Sequence, residues 1–150
     1  MLQQLIGKWK LIENDKQFTQ FLSYYGYNWF KIKAALLTNV EVTISIVNQQ
    51  PLTINRFIES SFLTTNEDYI FDNNTHISNN LHKKHTITNN KIISYINGYI
   101  NGYCLNQPDK MIQWTETVYL TSNATMVSIR EWKDNNNNSI RTTQLFEKYN

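Results

Sequence analysis

One cysteine, Cys104, stands alone among 150 residues, so no internal disulfide can staple this chain, and a reducing compartment suits it. Charge is scarce too, at 17% of residues. The 14 basic and 12 acidic side chains leave a net +2, and no Lys/Arg block forms the electrostatic footprint of a nucleic-acid binder. No apolar run approaches the roughly 20 residues that span a bilayer. Met1 to Trp9 lack the apolar core, roughly 7–15 residues long, of a secretory signal. The expected setting is soluble and cytoplasmic. Only four glycines are present, and none builds a phosphate-cradling loop. No Ser/His/Asp set stands out as a nucleophile and its base.

What the chain does have is apolar and aromatic material, 41% and 13% of residues, enough for one core in a single domain spanning 1–150. Solubility then leans on neutral polar side chains, asparagine above all. Asn135 to Asn138 form a run, and Asn73-Asn74, Asn79-Asn80 and Asn89-Asn90 form pairs. They fall where turns are expected, and Asn tolerates left-handed backbone angles there. In so Asn-rich a chain the sequons at Asn73, Asn123 and Asn137 are read as chance.

Hydrophobic periodicity divides the chain in two. Gly7 to Ile12 reads as a first strand. Asn14 or Asp15 can cap a helix in which Phe18, Phe21, Leu22 and Tyr25 recur at helical spacing, with Gly26 as its stop. Asn28 can cap a second helix to about Thr38, with Trp29, Ile32, Leu36 and Leu37 on one side and Lys31 and Lys33 elsewhere. From Val40 the period falls to two. Strands are expected at Val40–Ile46, Leu52–Ile54, Ser61–Thr65, Tyr69–Phe71, Lys83–Thr88, Lys91–Ile96, Lys110–Val118, Thr125–Trp132 and Ile140–Lys148, with a long connection over Asn97–Asp109. The fold class is therefore all-β. The architecture is a ten-stranded antiparallel up-and-down β-barrel of the clam type. A two-helix lid, at about 15–38, sits between strands 1 and 2 and caps one barrel mouth. Closing the sheet removes exposed edges.

Gly7-x-Trp9, the helical stretch from Phe18 to Leu37, and the closing strand through Gln144-Leu145-Phe146 together resemble the intracellular lipid-binding family of fatty-acid-binding and cellular retinol-binding proteins. The secreted lipocalins share Gly-x-Trp but lack the helical insertion. The resemblance implies a non-enzymatic, monomeric carrier that holds a small hydrophobic ligand in its cavity and needs no cofactor or metal. In the family's fatty-acid binders, Arg-x-Tyr on the last strand and an arginine on the eighth hold a carboxylate. The matching positions here read Gln144 and Phe146, and Gln113 within Met111-Ile112-Gln113-Trp114. That pattern is similar to the retinol-binding branch, where glutamine meets an alcohol. The expected ligand contacts are Gln113, Gln144, Phe146 and Met111, with Phe18, Trp29, Ile32 and Leu36 at the portal.

An unpaired carboxylate is very costly to bury, and an arginine offsets that cost through a bidentate charge-assisted bond. Glutamine brings no charge, but it donates and accepts, which suits a hydroxyl, aldehyde or ester carbonyl. Burying about 14 methylenes contributes roughly 11 kcal/mol gross at ~0.8 each. The tail therefore sets most of the affinity and the polar groups choose the head. A neutral head group is expected, and an inward Arg56 or Arg130 would restore fatty acid.

Other residues carry bland and functional readings together. Trp9 is read as a structural plug. Gln113 and Gln144 would by default face solvent. Lys16, Lys31 and Lys33 are a solvated face, or a patch that touches anionic membrane during ligand transfer. His82 and His85 lie three apart and so on opposite strand faces; with His76 they are read as scattered polar residues, not a metal site. Two other functions remain open. One is a barrel enzyme acting on a hydrophobic substrate, for which Cys104 is the candidate nucleophile. The other is an interaction module whose aromatics leave no room for a ligand.

Overall fold

The computed structural model describes residues 2–100 and 110–149. A short helix, α1 (Leu2–Leu5), precedes β1 (Gly7–Asn14). Helices α2 (Phe18–Tyr24) and α3 (Trp29–Leu37) follow. Nine strands complete the fold: β2 (Glu41–Gln49), β3 (Leu52–Glu59), β4 (Thr64–Ile70), β5 (His76–Ser78), β6 (Leu81–Thr88), β7 (Lys91–Ile100), β8 (Lys110–Leu120), β9 (Met126–Lys133) and β10 (Ser139–Tyr149). They form one antiparallel sheet in the order β4-β3-β2-β1-β10-β9-β8-β7-β6-β5. Chain neighbours other than β4 and β5 are sheet neighbours, and β1 also pairs with β10, which is the expected up-and-down topology.

The sheet curls, but no backbone ladder joins its end strands β4 and β5 among the described residues. Side chains bridge that seam instead. Glu67 on β4 pairs with Lys83 on β6, and the Tyr69 ring stacks on His85 with centroids 4.1 Å apart. The expectation that hydrogen bonds close every edge is thus corrected. Two further strand limits differ from expectation. Ser61–Thr65 and Tyr69–Phe71, expected as separate strands, give way to one strand, β4. Its polar run Asn66-Glu67-Asp68 reads as a turn, yet it alternates: Thr65, Glu67 and Tyr69 turn inward while Asn66 and Asp68 are exposed. The short β5 was not expected. Of the expected loop at Asn97–Asp109, the part from Asn97 to Ile100 continues β7, and 101–109 lie outside the described residues.

The asparagines do the turn work that their spacing suggests. Asn73, Asn79, Asn80, Asn89, Asn90 and Asn137 all have φ between 51° and 63°. Asn79-Asn80 and Asn89-Asn90 are two-residue hairpin loops, where consecutive left-handed residues match the strand twist.

Two apolar clusters fill the ends of the barrel. One surrounds Trp9, which is fully buried and donates from Nε1 to the Leu5 carbonyl at 2.8 Å, so α1 seals that end. The other joins Phe21 of α2 to Leu81, Ile96, Ile112, Trp114 and Trp132. Phe21 meets both tryptophans edge-on at 5.6 and 5.4 Å.

Asn28 caps α3 as expected, accepting from the Lys31 N–H at 2.9 Å. The start of α2 differs. Its cap position is Gln17, with no side-chain cap bond. Asp15 instead reaches the last strand, accepting from Thr142 Oγ1 at 2.5 Å and from the Thr143 N–H at 2.7 Å. This carboxylate ties the entry of the lid to β10. Asp15→Ala should destabilise the fold by about 1–3 kcal/mol, because the Thr143 N–H loses its acceptor. Urea unfolding measures this, and a loss below 0.5 kcal/mol (order-of-magnitude bound) contradicts it.

Candidate functional site

Alternation on the strands decides what faces inward. On β3 the inward file is Ile54, Arg56 and Ile58; on β9 it is Met126, Ser128 and Arg130; on β10 it is Thr142, Gln144 and Phe146. All of these but Thr142 line a pocket that spans about 1030 Å³ of non-atom space, open solvent at its mouth included. Leu11, Val42, Ile44, Ile92 and Val118 supply apolar wall. Phe18, Leu22 and Ala35 cover it from the lid. Tyr27 and the β3–β4 turn residues Phe62 and Leu63 frame the mouth. Tyr27 and Phe62 meet edge-on across it, at 6.3 Å.

Between the two apolar clusters lies a buried polar cluster centred on Glu116 of β8, which is 2% exposed. Its Oε1 accepts from Arg56 Nη1 at 2.7 Å and from the Tyr69 hydroxyl at 3.2 Å. Its Oε2 lies 3.0 Å from Arg130 Nη2 and accepts from Ser128 Oγ at 3.3 Å. Arg56 also meets Glu67 at 3.4 Å. Arg130 donates to Gln144 Oε1, and Gln144 donates from Nε2 to Asn14 Oδ1 at 2.7 Å. A β-bulge between Leu11 and Glu13 shifts the register of β1, and Asn14 thereby faces the cavity. Burial acts to raise the Glu116 pKa, but the Arg56 and Arg130 guanidiniums outweigh it and hold the carboxyl at about 2. Burial pushes His85, whose Nδ1 lies 2.7 Å from Ser94 Oγ, down to about 4.

Of the expected ligand contacts, Phe18, Gln144 and Phe146 line this cavity. Gln113 does not. It is exposed, because Ile112, Trp114 and Glu116 are the residues of β8 that turn inward, one position out of step with the expected register. Met111, on the same outer face, is 59% exposed. The Gln113 backbone nonetheless anchors the lid: its N–H donates to the Tyr24 hydroxyl, which donates back to its carbonyl. Trp29 and Leu36 are surface residues, 64% and 39% exposed. Helix α3 buries Ile32 alone, and Ile32 does not reach the cavity. The helix is too lightly packed to bury both of its apolar sides. Glu116 was missed altogether. Its signal was the inward file Ile112-x-Trp114-x-Glu116-x-Val118, in which a charge interrupts apolar residues. Of the histidines, His82 is exposed, His85 is buried and His76 lies 2.9 Å from Asp72. Cys104 lies outside the described residues.

No family model and no curated protein matches this sequence. Solved structures do match. Lipid binding protein 8 of Caenorhabditis elegans superposes with TM-score 0.75 at 18% identity, covering 99% of this chain and 98% of that one. The fatty-acid-binding protein of Schistosoma mansoni, solved with arachidonic acid, gives 0.73 at 14% identity over 99% and 98%. Fatty-acid-binding protein 1 of Echinococcus granulosus gives 0.74 at 12% over 99% of both chains. This chain has the fold of the intracellular lipid-binding proteins. At such identities the fold is what is shared, and the head-group chemistry belongs to this chain's own residues. In that fold the cavity is the space inside the barrel, and here it holds a charged cluster paired within the protein except at Arg56 Nε, which is buried without a partner among the described residues.

The cluster makes stability depend on pH. Glu116 and His85 both bind protons more readily in the unfolded chain. The contribution of His85 is fully present above about pH 6.5 and is lost as pH falls through about 4. That of Glu116 is present above about pH 4.5 and lost as pH falls through about 2. Urea midpoints should therefore fall in two successive windows on acidification, and His85→Gln should remove the upper one. A flat profile from pH 7 to pH 4 contradicts the assignment.

Proposed function

We propose that this protein is a non-enzymatic carrier that binds a single-chain lipid inside the barrel and transports it through cytoplasm as a monomer. The supporting observation is the largely apolar cavity, open beneath the lid and carrying a polar cluster part-way along its wall. This is the arrangement expected of a site for a molecule with one polar end. The relatives in fold that carry lipid in their names support the same reading, as does the arachidonic acid bound by one of them.

The head group is proposed to be neutral: a hydroxyl, aldehyde or ester carbonyl, as in a fatty alcohol or retinoid-like lipid. Gln144 and Phe146 occupy the closing-strand positions where arginine and tyrosine would hold a carboxylate. Gln144 both donates and accepts on the cavity wall. Free fatty acid is the second reading, favoured by three internal cations, Arg56, Lys83 and Arg130, against two carboxylates, Glu67 and Glu116. Space inside the barrel weighs against a packed-solid interaction module.

Native mass spectrometry of protein purified from cells should reveal a bound lipid. Gln144→Ala should weaken binding of a fatty alcohol by about 1 kcal/mol, roughly fivefold, in displacement titrations, and Gln144→Arg should favour the acid over the alcohol. Protein that never carries or takes up lipid refutes the carrier. A turnover abolished by Cys104→Ser would move the assignment to an enzyme.

Ligand delivery is proposed to use membrane contact through α3. Trp29, Phe30 and Leu37 project from it, 64%, 77% and 87% exposed, beside Lys33, whose Nζ lies 5.9 Å from the Trp29 ring centroid. Aromatic rings with nearby cations suit an anionic interface. Trp29→Ala/Phe30→Ala should slow lipid transfer to phosphatidylserine vesicles at least fivefold (order of magnitude) while leaving lipid affinity unchanged. Equal transfer rates contradict it.

A further inference from the structure

The Glu116 carboxylate sits where it can neutralise both guanidiniums of the cavity from behind. Arg56 and Arg130 line the apolar chamber; Glu116 does not. It contacts one guanidinium through each oxygen, at 2.7 and 3.0 Å, and takes a further hydroxyl on each, from Tyr69 and Ser128. Both oxygens are therefore satisfied by donors on three other strands, β3, β4 and β9. The remaining internal ion pair, Lys83 with Glu67, lies at the seam, and neither residue lines the apolar chamber. Against the two guanidiniums Glu116 brings one negative charge, so it lowers the positive charge facing the chamber from two to one.

We propose that Glu116 is the specificity-determining residue of the cavity: it acts as a built-in carboxylate that occupies both arginines and so biases the site against acids and toward neutral oxygen acceptors. The inference rests on the carrier reading and sharpens it. A second carboxylate entering the chamber meets two guanidiniums whose charge Glu116 has already halved. It must also approach Glu116 itself across a poorly solvated space. A hydroxyl or ester oxygen needs only an N–H donor, and Arg56 Nε, buried without a partner among the described residues, is one. Gln144, held between Arg130 and Asn14, completes that donor set. Removing the Glu116 charge while keeping its shape should convert the floor of the cavity into an acid site.

The test is competition of palmitate and hexadecanol against Nile red, for the wild type, Glu116→Gln and Glu116→Gln/Arg130→Gln. The wild type should bind hexadecanol at least about tenfold more tightly than palmitate. Glu116→Gln should shift the ratio of the two affinities toward palmitate by about tenfold or more, and the double variant should reverse most of that shift. If Glu116→Gln unfolds because its arginines are left unpaired, palmitate and not hexadecanol should restore its circular dichroism. An unchanged ratio in folded Glu116→Gln, or rescue by neither lipid, overturns the proposal. A wild type that prefers palmitate also overturns it while leaving the carrier intact. A wild type that binds neither lipid removes the carrier reading and this inference together.

Discussion

Glu116 holds two buried guanidiniums at once, and much of the barrel's interior is arranged around that contact. A buried carboxylate with a single partner would be costly, since desolvation of two charges often exceeds their attraction. Here the carboxylate has four donors, and the guanidiniums have further partners in Glu67 and Gln144. The cluster therefore links β3 and β4 on one side of the barrel to β8, β9 and β10 on the other. Through Glu67 and Lys83 it extends across the seam to β6. A curled sheet with two unpaired end strands has no backbone bonds at that seam, so side-chain pairing must hold the ends together. The Tyr69–His85 stack and the Glu67–Lys83 pair do this, and Tyr69 also donates to Glu116.

The order of elements was legible in the sequence because two periods encode it. Helical spacing from Phe18 to Leu37 and alternation from Val40 onward follow from where side chains must point. The asparagine pairs marked hairpins because few other residues accept consecutive left-handed angles. Register was less legible. On β8 both files contain apolar or aromatic residues, Met111 and Tyr119 outward and Ile112, Trp114 and Val118 inward, so alternation alone does not choose between them. A shift of one residue exchanged Gln113 for the neighbouring file that carries Glu116. On β4 the inward file is itself polar, Thr65-x-Glu67-x-Tyr69, because it faces the charged cluster rather than the apolar chamber. A sequence rule that equates inward with apolar fails at such a strand.

Helix α3 shows a different limit. Its sequence has apolar residues on more than one side, and packing buries one of them, Ile32. The exposed remainder is a cost for a soluble chain, and patches of this kind mark contact surfaces more often than accidents. The lid is fastened from α2 instead, where Phe21 packs between two tryptophans and Tyr24 grips the β8 backbone. The firmly held helix and the lightly held one sit on the same side of the barrel. Any opening of the mouth is therefore easiest at α3 and the β3–β4 turn, where Tyr27 and Phe62 make the edge contact.

Stability and selectivity share the same atoms in this barrel, and that constrains how its ligand preference can change. In a cavity that takes its cation from the protein and its anion from the ligand, the apo state carries an uncompensated charge that the ligand relieves. Here an anion of the protein already pairs with both arginines, so the empty barrel is left with one surplus positive charge instead of two. Ligand binding then gains little from charge and depends on burial of the tail, at about 0.8 kcal/mol per methylene. Head-group discrimination must come from small differences among neutral hydrogen bonds and from the exclusion of a further anion. Exclusion is the stronger of these, because an unmade charged pair costs more than a neutral bond contributes. On the proposed reading, a single internal carboxylate does by subtraction what a dedicated neutral-binding group would do only weakly.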